Sequence, residues 1–495
     1  MLRLSDRRHL LPGAAAFAAA LLAALLGLRA GAVQPPPPPP SGTVQLQLLG
    51  VNDFHGHLEP PQADLGGAAW LGAHLARAAR SHPGRTITVH AGDMVGASPL
   101  VSSYFHDEPA IKATNMMGFD VGTVGNHEFD EGGAEMLRLI GGGQRTDGPR
   151  AFTSDPGWQG ASYPYIAANT VSRESGELVL PPYRIVERAG VRVGFIGVTT
   201  DDTPKWLLPE HRRDYRFTDI SDSVNRWVPE LRRGGVEAIV VLAHSGAFQK
   251  GLEAAGEIVD ETAAMDDAVD VVVAGHTHSQ LNLTIDGKLV VEAEAYGTHY
   301  DRVTITVDRT SGDVVAKSGL LAPTAHAGVA PDPALARLVQ SYADRVAPLG
   351  DRVVGQVEQA IDSDELGRVA ADAQRSFAGA DVAFVNPGNT RRPGLEAGPV
   401  TYADLFLVHA YEHPVLRMRM RGRDVLAVME QRQGVQLYAS GLEGVQPEGT
   451  YTVAVNGVLA ASERFTAFER GWDRSVAGTD LEALVSWFEG ATSPT

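Results

Sequence analysis

The chain has 495 residues, 44% hydrophobic and 21% charged: a globular composition, and too long for one ordinary core, so two domains are expected. Its formal net charge of −18 argues against a nucleic-acid polymer as partner, because phosphate backbones select basic faces, but it leaves a small anion open, since bound metal ions supply local positive charge. There is no cysteine, which excludes thiolate metal sites, disulfides and cysteine nucleophiles and leaves His, Asp, Glu and Asn as metal donors.

Residues 1–32 read as an export signal: Arg3, Arg7 and Arg8 make a basic start, Ala14 to Leu28 an apolar run, and Ala30-Gly31-Ala32 a small-x-small cleavage pattern. The run is short for a membrane span. Residues 33–43 follow as a stiff spacer built around the prolines 35–40. The mature chain is therefore expected outside the cytoplasmic membrane (extracellular, in the cell wall or periplasmic) without stable membrane insertion.

One pattern then recurs five times. The β-type run Val44–Val51 leads into Asn52-Asp53-Phe54-His55, and Thr86–His90 into Ala91-Gly92-Asp93. Asp120–Val124 leads into Gly125-Asn126-His127-Glu128, Val236–Ala243 ends at His244, and Val271–Val273 delivers Gly275-His276-Thr277-His278. Between them, Ala68–Arg80 and Asp222–Arg233 carry helical spacing. Alternating strands and helices predict an α/β sheet whose crevice lies beyond the carboxyl ends of the strands, where all five polar clusters fall.

Oxygen and imidazole donors of this kind suit Zn, Mn, Fe or Co. Two such ions, about 3.5–4 Å apart, can clamp a phosphate ester and make water a nucleophile. Such a pair needs a bridging carboxylate, and Asp93, alone after the Gly92 turn, is the best candidate. A lone His after a strand is more often a structural hydrogen-bonding residue, and an Asp in a turn is usually a turn-former. Five clusters at matching topological positions outweigh that plainer reading.

These motifs resemble the calcineurin-like metallophosphoesterases, and within them the bacterial 5′-nucleotidase family with its UDP-sugar hydrolase and 2′,3′-cyclic phosphodiesterase relatives. The resemblance runs from Val44 to Ala322 through Asn52-Asp53-Phe54-His55-Gly56-His57, Gly92-Asp93, Gly125-Asn126-His127-Glu128-Phe129-Asp130, His244 and Gly275-His276-Thr277-His278. It implies an α/β fold: an N-terminal two-sheet sandwich flanked by helices in residues 44–322, a linker helix in 323–351, and a smaller α/β substrate-recognition domain in 352–495. It implies two divalent metal ions, one held by Asp53, His55, Asp93 and His278 and the other by Asp93, Asn126, His244 and His276. His127 paired with Asp130 would be the catalytic dyad, and metal-activated water the nucleophile. His57 and Glu128 are expected to support these ligands.

In the second domain the resemblance weakens. Arg391 falls where the family carries an arginine, in Asn386-Pro387-Gly388-Asn389-Thr390-Arg391, and could grip a phosphate or carboxylate bidentately. The places of the family's two base-stacking phenylalanines are Gln436 and Val458, neither aromatic. Tyr438, Phe465 or Phe468 could stack a base instead, with core positions the competing assignment.

The leading expectation is an exported 5′-nucleotidase acting on a small phosphate ester. The same chemistry on a 2′,3′-cyclic nucleotide, a UDP-sugar or a non-nucleotide phosphate is the second. A secreted nucleotide- or metal-binding protein without turnover is the third, against which the His127–Asp130 pair weighs.

Overall fold

A computed structural model describes residues 40–145, 157–251, 253–387 and 394–490; the expected export signal and Arg391 lie outside them. Among the described residues no helix is long and apolar enough to cross a membrane.

The strand Thr43–Val51 shows how the first half is built. Val44, Leu46 and Leu48 point one way, into a core shared with a second sheet, while Leu49 and Val51 point the other way, toward helices. That period of two makes a strand with both faces covered. It pairs in parallel with Thr86–His90, which pairs in parallel with Val121–Thr123, and antiparallel with His299–Asp308. With Val314–Pro323 and Tyr165–Ile166 at the edges, six strands form the first sheet.

The second six-stranded sheet has Val191–Thr199, Ala238–His244, Val271–Val273 and Lys288–Ala293 in parallel at its centre, and Tyr183–Arg188 and Gln280–Ile285 at its edges. Ala238–His244 is buried throughout, as a central parallel strand should be, which explains its unbroken apolar run. The helix Ile220–Arg233, capped by Asp219 accepting from the Asp222 N–H, packs on this sheet's outer face. The result is the α/β two-sheet sandwich flanked by helices.

On the outer face of the first sheet lie the helices Ala68–Ser81 and Pro333–Gly350. The second of these buries Leu335, Tyr342 and Val346 in a core that continues into Leu405, Phe406 and Leu484 of the C-terminal part. That part is centred on a five-stranded sheet ordered Tyr438–Ser440, Val382–Val385, Thr450–Asn456, Pro414–Arg421, Trp472–Thr479. From Gly42 onward the chain forms one compact unit, so this second lobe is packed against the sandwich.

Candidate metal centre and active site

The register sets Val51 beside His90 in the first sheet and Thr199 beside His244 in the second, so the polar clusters emerge at one end of the sandwich. Asn52 ties the two sheets there. Its amide donates to Asp53 Oδ2 at 2.7 Å and to the Glu294 carbonyl at 2.6 Å, and its oxygen accepts from the Ala293 N–H at 2.8 Å.

The backbone then turns sharply. Asp53, His55, Asp93, His276 and His278 all have φ between 47° and 77°, the left-handed region that side chains larger than glycine's disfavour. Such strain persists only where surrounding contacts enforce it, and it concentrates at functional sites. Gly92 (φ 87°) precedes Asp93, and a Cβ there would meet the Gly125 nitrogen at 2.6 Å. Glu128 holds the turn: its carboxylate accepts from the N–H groups of Asp93, Met94 and Gly125. Burial and the nearby Asp93 charge push that carboxyl up to about 7.

Two donor groups result: Asp93 belongs to the second, and its carboxylate also stands against His55 of the first. On one side Asp53 Oδ1, His55 Nε2 and His278 Nε2 converge, with 3.1 Å between the two nitrogens and 3.3 Å from His278 to Asp53. On the other, His244 Nε2 lies 3.0 Å from Asp93 Oδ2 and 3.1 Å from Asn126 Oδ1, with His276 completing the group. His55 Nε2 is 3.7 Å from Asp93 Oδ2, which spans the two.

The donor chemistry fits divalent cations. His55 Nδ1 donates to the Gly96 carbonyl at 2.8 Å and His244 Nδ1 to the Ala91 carbonyl at 2.9 Å, which commits their protons outward and turns both Nε2 atoms inward. Asp53 is fully buried; its Oδ2 accepts two bonds, while its Oδ1 has no hydrogen-bond partner among the described residues. A buried orphan oxygen facing two imidazole nitrogens is costly unless a cation is shared among them.

Titration follows the same arrangement. Burial pushes His55 and His276 down to about 4, keeping them neutral. Burial opposes charge on Asp53, yet the His278 and His55 imidazoles beside it hold it well below the usual carboxylate range. His244 is raised to about 10, against its burial, by the Asp93 charge. The proton it takes up is the one a metal displaces on binding.

Beside the shared carboxylate stands His127, its Nδ1 2.7 Å from Asp130 Oδ2, its Nε2 4.0 Å from Asp93 Oδ2 and its backbone N–H on Asp93 Oδ1 at 2.9 Å. The second lobe reaches this pair. Tyr411 stacks on His127 with centroids 5.5 Å apart at 14°, places its hydroxyl 3.5 Å from Nε2, and stacks in turn on His413 at 5.0 Å. Asn386, Tyr411, His413 and Val458 form the far wall of a cavity of about 520 Å³ that opens over Asp93, Asn126 and His276.

All nine expected metal and dyad residues therefore meet at one place: Asp53, His55, Asp93, Asn126, His127, Asp130, His244, His276 and His278. Two expected substrate residues do not. Phe465 is 4% exposed, packed with Leu459 and Phe468 in the second lobe's core, and Tyr438 is 7% exposed, its hydroxyl donating to Asp364 at 3.0 Å. Gln436 also bonds Asp364, at 2.7 Å. Both aromatic rings fill the lobe instead of lining the cavity.

Other participants carried no local signal. Gly96 (φ 80°) accepts from His55 and leaves no room for a Cβ, which would lie 2.7 Å from His127 Cβ. The buried Asp107 carboxylate anchors the Gly96 N–H at 3.0 Å. The glycine four residues after Gly92 was the one available cue. His57 stacks on Tyr296 at 4.1 Å, and Tyr296 packs edge-on against His55 and His278.

Comparison with known proteins agrees with this architecture. Residues 46–280 match the calcineurin-like phosphoesterase family and residues 351–445 match the 5′-nucleotidase C-terminal domain. The chain is 32% identical over 496 residues to endonuclease YhcR of Bacillus subtilis (strain 168), covering 91% of this chain and 40% of that protein. It is 32% identical over 480 residues to cell wall protein Lmo0130 of Listeria monocytogenes, covering 84% of this chain and 60% of that one. The chain thus spans about half the length of these two relatives. The crystal structure of a 5′-nucleotidase precursor from Thermus thermophilus superposes with a TM-score of 0.75 at 23% identity, over 90% of this chain and 96% of that one, and shares its fold. With a calcineurin-like phosphoesterase domain followed by a 5′-nucleotidase C-terminal domain, the chain belongs to the 5′-nucleotidase family of calcineurin-like phosphoesterases.

Proposed function

We propose that the protein is an exported phosphohydrolase that converts nucleoside 5′-monophosphates to nucleoside and phosphate. One observation carries the reading: Asp93, in the His244–His276 donor group, also stands 3.7 Å from His55 of the other group, and an Asp130-oriented His127 lies 4.0 Å from the same carboxylate. Asp53, His55, Asp93 and His278 would hold one divalent ion, and Asp93, Asn126, His244 and His276 the other. When bound, such ions (Zn, Mn, Fe or Co by donor type) draw charge from a phosphoryl group and acidify water enough for it to attack at neutral pH.

The remaining work falls to the chain itself. Asp130 accepts from His127 Nδ1, so the ring is held with Nε2 toward the cavity. In its protonated form His127 donates from Nε2 to a phosphoryl oxygen, or gives the proton to the alkoxide as the P–O bond breaks. Glu128 and Asp107 keep the Asp93 and Gly96 turns in place, and Tyr411 covers the exposed face of His127.

A small ester is favoured over a polymer because the second lobe walls the cavity, whose volume of about 520 Å³ is that of a small-molecule site. Export is supported by the basic-apolar-small pattern of residues 1–32 and by relatives named as a cell wall protein and a precursor.

The test is phosphate release by Mn- or Zn-loaded mature protein from AMP, from p-nitrophenyl phosphate and from a single-stranded oligonucleotide, with a chelated control. A kcat/KM that favours AMP and is lost on chelation supports the reading. Chelator-sensitive release without that preference overturns the nucleotide assignment, internal cleavage of the oligonucleotide replaces it with a phosphodiesterase, and no turnover makes the protein a binder.

A further inference from the structure

Large aromatic side chains left in solvent are ordinary when they occur singly, because burying a phenylalanine yields only about 1.5–3 kcal/mol. Here two of them stand at one cavity. Trp206 is 54% exposed and Phe248 68% exposed, and both line the space above Asp93, Asn126 and His276.

Both come from the sandwich. Trp206 ends the short turn Thr203–Lys205, just beyond the strand Val191–Thr199, with its ring 6.2 Å from that of His276. Phe248 begins a two-stranded hairpin, Phe248–Lys250 with Glu253–Ala255, four residues after His244. The hairpin is fixed to the sheet, since the Gln249 side chain accepts from the Asn282 N–H at 2.9 Å. Phe248 is thus placed by the strand end that presents His244, and Trp206 by the end of the neighbouring strand.

The facing wall offers less. Tyr411 has rings on two sides, His127 and His413, and the other contributors there include Val458 and Asn386. Tyr438 and Phe465 are committed to the lobe's core. The two strongly exposed rings at the cavity both belong to the sandwich half.

We propose that Trp206 and Phe248 form the stacking platform for the leaving group, so that the enzyme selects esters of alcohols carrying a planar ring, nucleosides among them, through its sandwich domain. This deepens the nucleotidase reading and rests on it. A planar base gains π-contact there that a bare sugar cannot, and stacking of this kind is tolerant of base identity.

The experiment compares kcat/KM for AMP with that for ribose 5-phosphate in the metal-loaded wild type, in Trp206→Ala, Phe248→Ala and the double variant, with metal content measured alongside. Each single variant should lower the AMP to ribose 5-phosphate ratio about tenfold, mainly through KM for AMP, with metal content unchanged. Trp206→Phe should restore most of the ratio, which a general loss of folding would not allow. A wild type that prefers AMP and a double variant that keeps the full preference would overturn the platform alone. A wild type with no preference for AMP removes the nucleotide reading and the platform with it.

Discussion

The two walls of the cavity are made by different means. On the sandwich side the donors sit directly at strand ends, buried, with Asp53, His55, Asp93, His276 and His278 bent into left-handed backbone and cross-braced by Asn52 and Glu128. On the second-lobe side the wall is made by Asn386, Tyr411, His413 and Val458, none of which is in left-handed backbone. The metal donors and, with Trp206 and Phe248, the proposed selectivity are therefore both anchored in the sandwich, and the second lobe walls the cavity opposite them.

That contrast can be broken at its strongest point first. Asp93→Asn removes the carboxylate that stands between the two donor groups and should abolish turnover, with metal content falling on elemental analysis; normal activity would refute a bridging role for Asp93. His127→Ala should lower kcat by roughly 10²–10⁴, the scale of a proton-transfer group, while metal content stays near normal. Loss of metal in that variant would make His127 a ligand.

Smaller effects probe the other wall. Tyr411→Ala removes the ring stacked on His127 and should lower kcat up to about tenfold with a changed pH profile, and Tyr411→Phe should recover most of it. An unchanged profile in the alanine variant would reduce the second lobe to a passive cover. Tyr438→Phe should cost about 0.5–1.5 kcal/mol of stability through the lost bond to Asp364, visible in denaturant unfolding, and leave KM for AMP unaltered. A raised KM would return Tyr438 to the substrate.

How much of this was legible in the sequence follows the same division. Asp53, His55, Asp93, Asn126, His244, His276 and His278 could be grouped from one chain because each ends a strand of recognisable pattern, and parallel strands share one end. The α/β sheet came with them, and the two-sheet sandwich came from the family resemblance. Ala238–His244 shows the limit of such readings: the expected strand began two residues earlier and excluded His244, which the register pairs with Thr199. Tyr438 and Phe465 misled because aromatic character alone does not tell a stacking surface from a core. Tyr411 and Trp206 were missed because they meet His127 and His276 from segments far apart in the chain, which no local spacing encodes, and Asp107 because its bond to Gly96 follows no recognisable motif.

The strained strand ends bear on how the protein responds to heat. Five donors in left-handed backbone and an orphan Asp53 oxygen are a standing cost to the folded chain, and a cation that binds only this arrangement offsets it. The melting temperature should therefore climb with free metal concentration and fall on chelation. Because Asn52 couples one donor to both sheets, that change belongs to the whole sandwich and not to a single loop. The free metal concentration around the protein then sets how long its fold survives as well as how fully its donors are loaded.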